Sequence, residues 1–134
     1  MQPSLYTDVR SILMVLLAFK GTEMFKAKDY QQAAVHYTEA INIQDDIPAI
    51  YANRCMCWLK LAEADKALAD ADKCIELDPK YTKAHFRRGV ALLELDRYVD
   101  ACKSFRTTLD LDPKNSQAKS SMMLAEKKMM MSRK

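Results

Sequence analysis

The sequence predicts an all-α chain of three tandem helix–turn–helix units closed by a C-terminal helix. Three observations lead there. Residues recur at an interval of 34: Ala33, Ala67 and Ala101 are in step, as are Pro79 and Pro113, and Gly21 and Gly89 stand two intervals apart with Cys55 midway. Between those marks the apolar residues follow helical rather than alternating spacing. Only two glycines and four prolines occur in 134 residues, which leaves long stretches free of helix breakers.

The first element is "SILMVLLAFKG", with eight apolar residues in a row from Ile12 to Phe19. Such a run is too short to span a bilayer, which needs about 20 residues. It also lacks the flanks of an export signal: Arg10 is offset by Asp8, and Lys20 stands where small cleavage-site residues belong. Gly21 is in register with Cys55 and Gly89, and "GTEMFKAKDYQQAAVHYTEAI" continues the interval without a slip, so the run reads as a repeat helix. A helix that is apolar all round is expected to be covered all round. The cover is either residues 1–10 folding back or another chain, and self-association through residues 9–25 is one such arrangement.

The second unit shows the pattern most plainly. "PAIYANRCMCWLKL" (48–61) sets Tyr51, Cys55, Trp58 and Leu59 at helical spacing, and "ADKALADADKCIEL" (64–77) sets Ala67, Leu68, Ala71, Cys74 and Ile75 on one face. Leu-Asp-Pro then ends the helix, because proline disfavours helical geometry in the residue before it. Further positions keep step across the units: Ala40, Cys74 and Thr108; Tyr37, Ala71 and Phe105; Ile43, Leu77 and Leu111. The small residues at 21, 55 and 89, and at 33, 67 and 101, fall where paired helices must approach closely. The final segment, "NSQAKSSMMLAEKKMMMSRK", opens on a capping Asn115 or Ser116 and lines up Ala118, Met122, Ala125 and Met129. It reads as a helix over 116–131 covering the last unit, with a Met-rich adaptable surface as the alternative.

These residues resemble the tetratricopeptide repeat, a 34-residue helix–turn–helix with small residues at fixed places and a proline near its end. The resemblance covers 14–47, 48–81 and 82–115, with 116–131 as a capping helix and 1–134 as a single domain. It implies a right-handed superhelical array, for which three repeats are about the minimum.

Function classes narrow accordingly. The net charge of +3 is far from the basic stripe of a nucleic-acid binder. Cys55, Cys57, Cys74 and Cys102 have neither zinc-like spacing nor a disulfide framework, and read as small buried hydrophobes of a reducing, cytoplasmic compartment. His36 and His85 have no nucleophile or carboxylate at a telling spacing, and no Gly-rich phosphate loop occurs. No catalytic residue, metal site, cofactor or membrane association is expected.

A stacked array binds through its concave face, lined by the first helices of the units: Ala49, Ala52, Asn53 and Met56, then Lys83, Phe86, Arg87 and Val90. Lys83 and Arg87 share a helical face, and Asn53 lies one interval before Arg87. Two cations and an amide make a receptor for a carboxylate, with Met56, Phe86 and Val90 as apolar contacts. "YANR" and "KAHFRRG" are similar to parts of the dicarboxylate clamp of co-chaperone domains. Those domains hold the C-terminal Glu-Glu-Val-Asp tail of heat-shock chaperones. The resemblance implies that Lys83 holds a carboxylate, Asn53 orients it and Arg87 contacts the ligand upstream. The first unit departs from the family pattern: "AFKGTEMFK" has Ala18 at the clamp lysine and Thr22 at the clamp asparagine, where a hydroxyl could assist. At about 1.5–3 kcal/mol per charged contact, two losses turn a micromolar clamp into a submillimolar one. The expected function is a non-enzymatic adaptor for such tails or another acidic peptide. The alternative is a scaffold or dimerisation module acting through the apolar first helix.

Overall fold

A computed structural model describes the backbone of residues 5–133 and the side chains of residues 9–133. The described residues form seven helices and no strand: α1 (Leu5–Lys26), α2 (Tyr30–Ile43), α3 (Pro48–Lys60), α4 (Ala64–Leu77), α5 (Thr82–Glu94), α6 (Tyr98–Leu111) and α7 (Ser116–Ser132). Each helix packs on its neighbours in sequence. The odd-numbered helices also touch one another, α1 on α3, α3 on α5 and α5 on α7, whereas the even-numbered ones do not. The array therefore curves with α1, α3, α5 and α7 on its inner side.

The helix boundaries follow from local chemistry. Asp29 caps α2 by accepting from the Gln32 N–H at 3.1 Å, and Asn115 caps α7 by accepting from the Ala118 N–H at 2.9 Å. Pro48 opens α3, where its missing N–H costs nothing. The turn inside each helix pair was not foreseen from the sequence. Lys28, Ala62 and Asp96 stand 34 apart and hold φ of 64°, 59° and 59°. At the middle turn the Ala62 N–H donates to the Leu59 carbonyl at 3.2 Å and the Glu63 N–H to the Trp58 carbonyl at 2.8 Å. The same pair of bonds recurs at Lys28–Asp29 and Asp96–Arg97. This double closure usually carries glycine at the left-handed place, and none of the three is glycine.

The first helix differs from expectation. No proline or glycine interrupts residues 5–20, and α1 starts at Leu5 rather than near residue 14. Residues 5–10 extend the helix instead of folding back over it, and the remainder of that suggested cover, residues 1–4, lies outside the described residues. Met14 and Gly21 are buried, while Val9, Ile12, Leu13, Val15, Leu16 and Phe19 face outward.

The core alternates small and large. A Cβ added at Gly21 would lie 2.8 Å from the Tyr37 ring, and one at Gly89 would overlap the Phe105 ring. In the middle pair the equivalent places are Cys55 and Ala71, which share a buried cluster. Where the first helix gives up a side chain the second supplies an aromatic ring, and where it keeps one the ring is gone.

A second periodic device fastens adjacent pairs. Arg54 of α3 donates from Nε and Nη2 to Asp70 of α4, at 2.8 and 2.7 Å, and from Nη1 to Thr38 of α2 at 3.1 Å. Trp58 Nε1 donates to the same Asp70 at 2.9 Å. One interval on, Arg88 of α5 donates to Asp72 of α4 and to Ser104 of α6, both at 2.7 Å. The arginine keeps its place while its acid moves from the following helix to the preceding one.

Replacing Gly89 by Cys should cost about 1–3 kcal/mol through overpacking, and Phe105→Ala about 3–5 kcal/mol through its cavity. The double variant reproduces the Cys55–Ala71 pairing, and denaturant unfolding should show it less damaged than the sum by about 1 kcal/mol or more. Ala62→Gly should raise stability by about 0.5–1 kcal/mol in the same assay, since the left-handed strain it relieves exceeds the backbone entropy it adds.

Candidate functional site

The inner side presents a groove of about 720 Å³ between α3, α5 and the start of α7. Met56 and Leu59 of α3, and Phe86 and Val90 of α5, give it an apolar wall, joined by Leu111 at the end of α6. Lys60, Lys83 and Arg87 supply its cations, and Asp112 the opposing charge. A smaller depression of about 130 Å³ adjoins it, lined by Thr22, Phe25, Tyr37, Asn53, Met56 and Arg87. Met56 and Arg87 border both.

The helical period sets this arrangement. Lys83 and Arg87 are one turn apart on α5, and Phe86 and Val90 repeat the offset one residue round. Lys83, Phe86, Arg87 and Val90 thus share one side of the helix. The fit of α3 against α5 brings Asn53 and Met56 beside Arg87. Lys83 is exposed and Asn53 half-buried. Among the described residues, neither side chain has a hydrogen bond or ion pair. Both polar ends remain open for a ligand.

Two of the expected residues are partly spent on the protein itself. Arg87 donates from Nη1 to the Ala52 carbonyl at 2.8 Å, which ties α5 to α3 and fixes the guanidinium at the junction of the two depressions. One edge of that guanidinium is thereby committed. Ala52, expected on the open face, is fully buried, and only its carbonyl serves the groove. Thr22 Oγ1 donates to the Ala18 carbonyl at 3.2 Å and lies 2.7 Å from Tyr37 Oη. Burial raises the Tyr37 phenol above its usual range, so its proton stays in place. The phenol can then donate to Thr22 while the threonine proton goes to Ala18. Thr22 therefore borders the depression without a free donor, unlike the assisting role expected of it. Ala18, one turn earlier, packs against the α1–α2 core.

Sequence reasoning missed Leu59, Lys60, Thr82, Leu111, Asn115 and Gln117, all of which line the groove. Lys60 was detectable, since it stands four residues after Met56 on α3. The α7 residues were not, because their approach to α5 depends on how the last helix folds back.

Elsewhere His85 Nε2 is 2.8 Å from the Pro79 carbonyl, whereas the buried His36 Nδ1, 3.3 Å from Glu39 Oε1, has no hydrogen bond among the described residues. Among the described residues no three His, Cys, Asp or Glu side chains are grouped to hold a metal ion, and no helix is long and apolar enough to cross a membrane. All four cysteines are buried free thiols. Burial pushes Cys55 up to about 12 and Cys57 and Cys74 to about 11.

Comparison with known proteins agrees with the helical repeat fold. The tetratricopeptide repeat family model matches residues 82–115. An Hsp70-Hsp90 organizing protein of Triticum aestivum is 40% identical over 98 residues, which are 73% of this chain and 17% of that protein. The chain thus spans less than a fifth of the length of the organizing proteins it matches. Among solved structures, the Arabidopsis OM64 TPR domain superposes with a TM-score of 0.84 at 35% identity, covering 85% of this chain and 94% of that domain. The first TPR of Spaghetti (RPAP3), bound to the HSP90 peptide SRMEEVD, gives 0.87 at 28% identity, covering 90% and 95%.

The folded chain should resist thiol reagents at pH 8, since only the thiolate is nucleophilic and burial suppresses it. Mass spectrometry after iodoacetamide should find Cys55, Cys57 and Cys74 unlabelled until denaturant is added.

Proposed function

The chain belongs to the tetratricopeptide repeat family, and from that premise we propose that it is a non-enzymatic adaptor. Its ligand is an acidic C-terminal peptide of the heat-shock chaperone Glu-Glu-Val-Asp type, held in the inner groove. The single observation that carries this reading is the pairing of two polar ends without partners, Lys83 and Asn53, with the anchored Arg87 beside an apolar wall. Relatives of the organizing-protein type and a fold neighbour bound to an HSP90 tail peptide support the same ligand class.

Within this reading Lys83 takes the terminal carboxylate as a charge-assisted pair. Asn53 orients it through its amide, and the free edge of Arg87 meets an acidic side chain or carbonyl upstream. Phe86, Val90 and Met56 receive the apolar side chain between them. Thr22 contributes shape, because its proton is committed to Ala18. The first helix pair then supplies no charged contact, which leaves a weak clamp concentrated on α3 and α5. A single domain over 1–134, with repeats at 14–47, 48–81 and 82–115, and action in the cytoplasm complete the proposal.

A titration with a Glu-Glu-Val-Asp peptide should give a submillimolar Kd that weakens with salt and is lost on C-terminal amidation. Lys83→Ala should weaken it about tenfold or more, the equivalent of one charged contact. Ala18→Lys should strengthen it by a similar factor by restoring a cation in the first helix pair. Equal affinity for the free-acid and amidated peptides would exclude carboxylate capture.

A further inference from the structure

We propose that two copies of this chain associate through α1, as an antiparallel pair of helices related by a two-fold axis near residue 14. The outward face of α1 carries Val9, Ile12, Leu13, Val15, Leu16 and Phe19, each 48–61% exposed. Val9, Ile12, Leu16 and Phe19 follow a 3–4–3 spacing, the seam by which one helix receives the knobs of another. The seam thus calls for a helix rather than a loop or strand, and Leu13 and Val15 widen it with apolar flanks.

Three properties make the occupant a second copy. No ionisable residue occurs between Arg10 and Lys20, so the face carries no charge to pair with an unlike partner and none to repel its own image. Arg10 at its edge is turned away, donating to the Ile43 carbonyl at 3.1 Å. The area suffices as well. Full burial of these six side chains, on the order of 100 Å² each, removes at most roughly 1,200 Å² for a pair, which meets the lower bound of a stable interface. An antiparallel register sets Val9 against Phe19 and Ile12 against Leu16, so each contact occurs twice, as a two-fold interface requires. It also holds the two Lys20 residues apart by about 18 Å along the helix axis, where a parallel pairing would oppose them. The exposed methionines of α7 lack these properties, since Lys127 and Lys128 stand among them and would repel in a self-pairing.

The seam lies outside the groove and the depression beside it, so pairing and peptide capture are independent. Sedimentation velocity of the 134-residue chain should show the mass moving from one copy to two between micromolar and submillimolar concentration. Leu16→Glu should remain one copy throughout, with unchanged circular dichroism and unchanged affinity for the acidic peptide. A mixture of Val9→Cys and Phe19→Cys chains should form an intermolecular disulfide that neither variant forms alone, the native thiols being buried. Four results would overturn the proposal: a single copy at every concentration, dimers that survive Leu16→Glu, self-crosslinking of Val9→Cys, or phosphatidylcholine vesicles binding single copies through α1.

Discussion

The close approach of the two helices in each pair is the constraint on which the rest of the molecule depends. Gly21 and Gly89 leave no room for a methyl group against Tyr37 and Phe105, and that contact fixes both the distance and the roll of α1 on α2 and of α5 on α6. Interiors are packed densely enough that a few tenths of an ångström matter there. The middle pair reaches a comparable fit with Cys55 and Ala71, so volume is conserved across the contact while its distribution changes. The roll of α5 set in this way decides that Lys83, Phe86, Arg87 and Val90 face inward.

The arginine ties act at the next level. Arg54 bonds two helices, α2 and α4, from its place on α3, and Arg88 bonds α4 and α6 from α5 one interval later. Arg54 and Asp70 are nearly buried, and such a pair contributes orientation more than net stability, because desolvation offsets much of its attraction. Its forked geometry fixes direction, which apolar packing alone does not. The neighbouring Arg87 bonds the Ala52 carbonyl of α3. The two adjacent arginines thus tie α5 to α3, α4 and α6, which fixes the orientation of α5 against the other groove wall.

Lys83 and Asn53 stand on packed helices with their polar ends unused, so a ligand finds both groups unpaired, at a cost of about 0.5–1.5 kcal/mol for ordering the exposed Lys83 side chain. The first helix pair differs. Its inward hydroxyl is consumed by Tyr37 and Ala18, while its outward face exposes a line of large apolar side chains. The polar resources of α1 serve packing, and its apolar ones face solvent.

The sequence by itself determined the period, the number of helix pairs, the helix type and the inward set on α5. Those depend on spacing along one chain: 34 between equivalent residues, and three or four between neighbours on a helix face. Lys83 and Arg87 were legible for that reason, and Asn53 followed by stepping back one interval. Tertiary structure alone decided what each group is free to do. Thr22 looks like an available hydroxyl until Tyr37, fifteen residues away, is brought within 2.7 Å of it. Arg87 looks fully available until the Ala52 carbonyl is found against it. The left-handed turns at Lys28, Ala62 and Asp96 gave no signal, since their residue types share nothing and the conformation is imposed by the helices they join. The walls from Leu111, Asn115 and Gln117 depend on how α7 returns against α5. Availability of a polar group is a property of its neighbours in space, and periodicity along the chain carries no record of them.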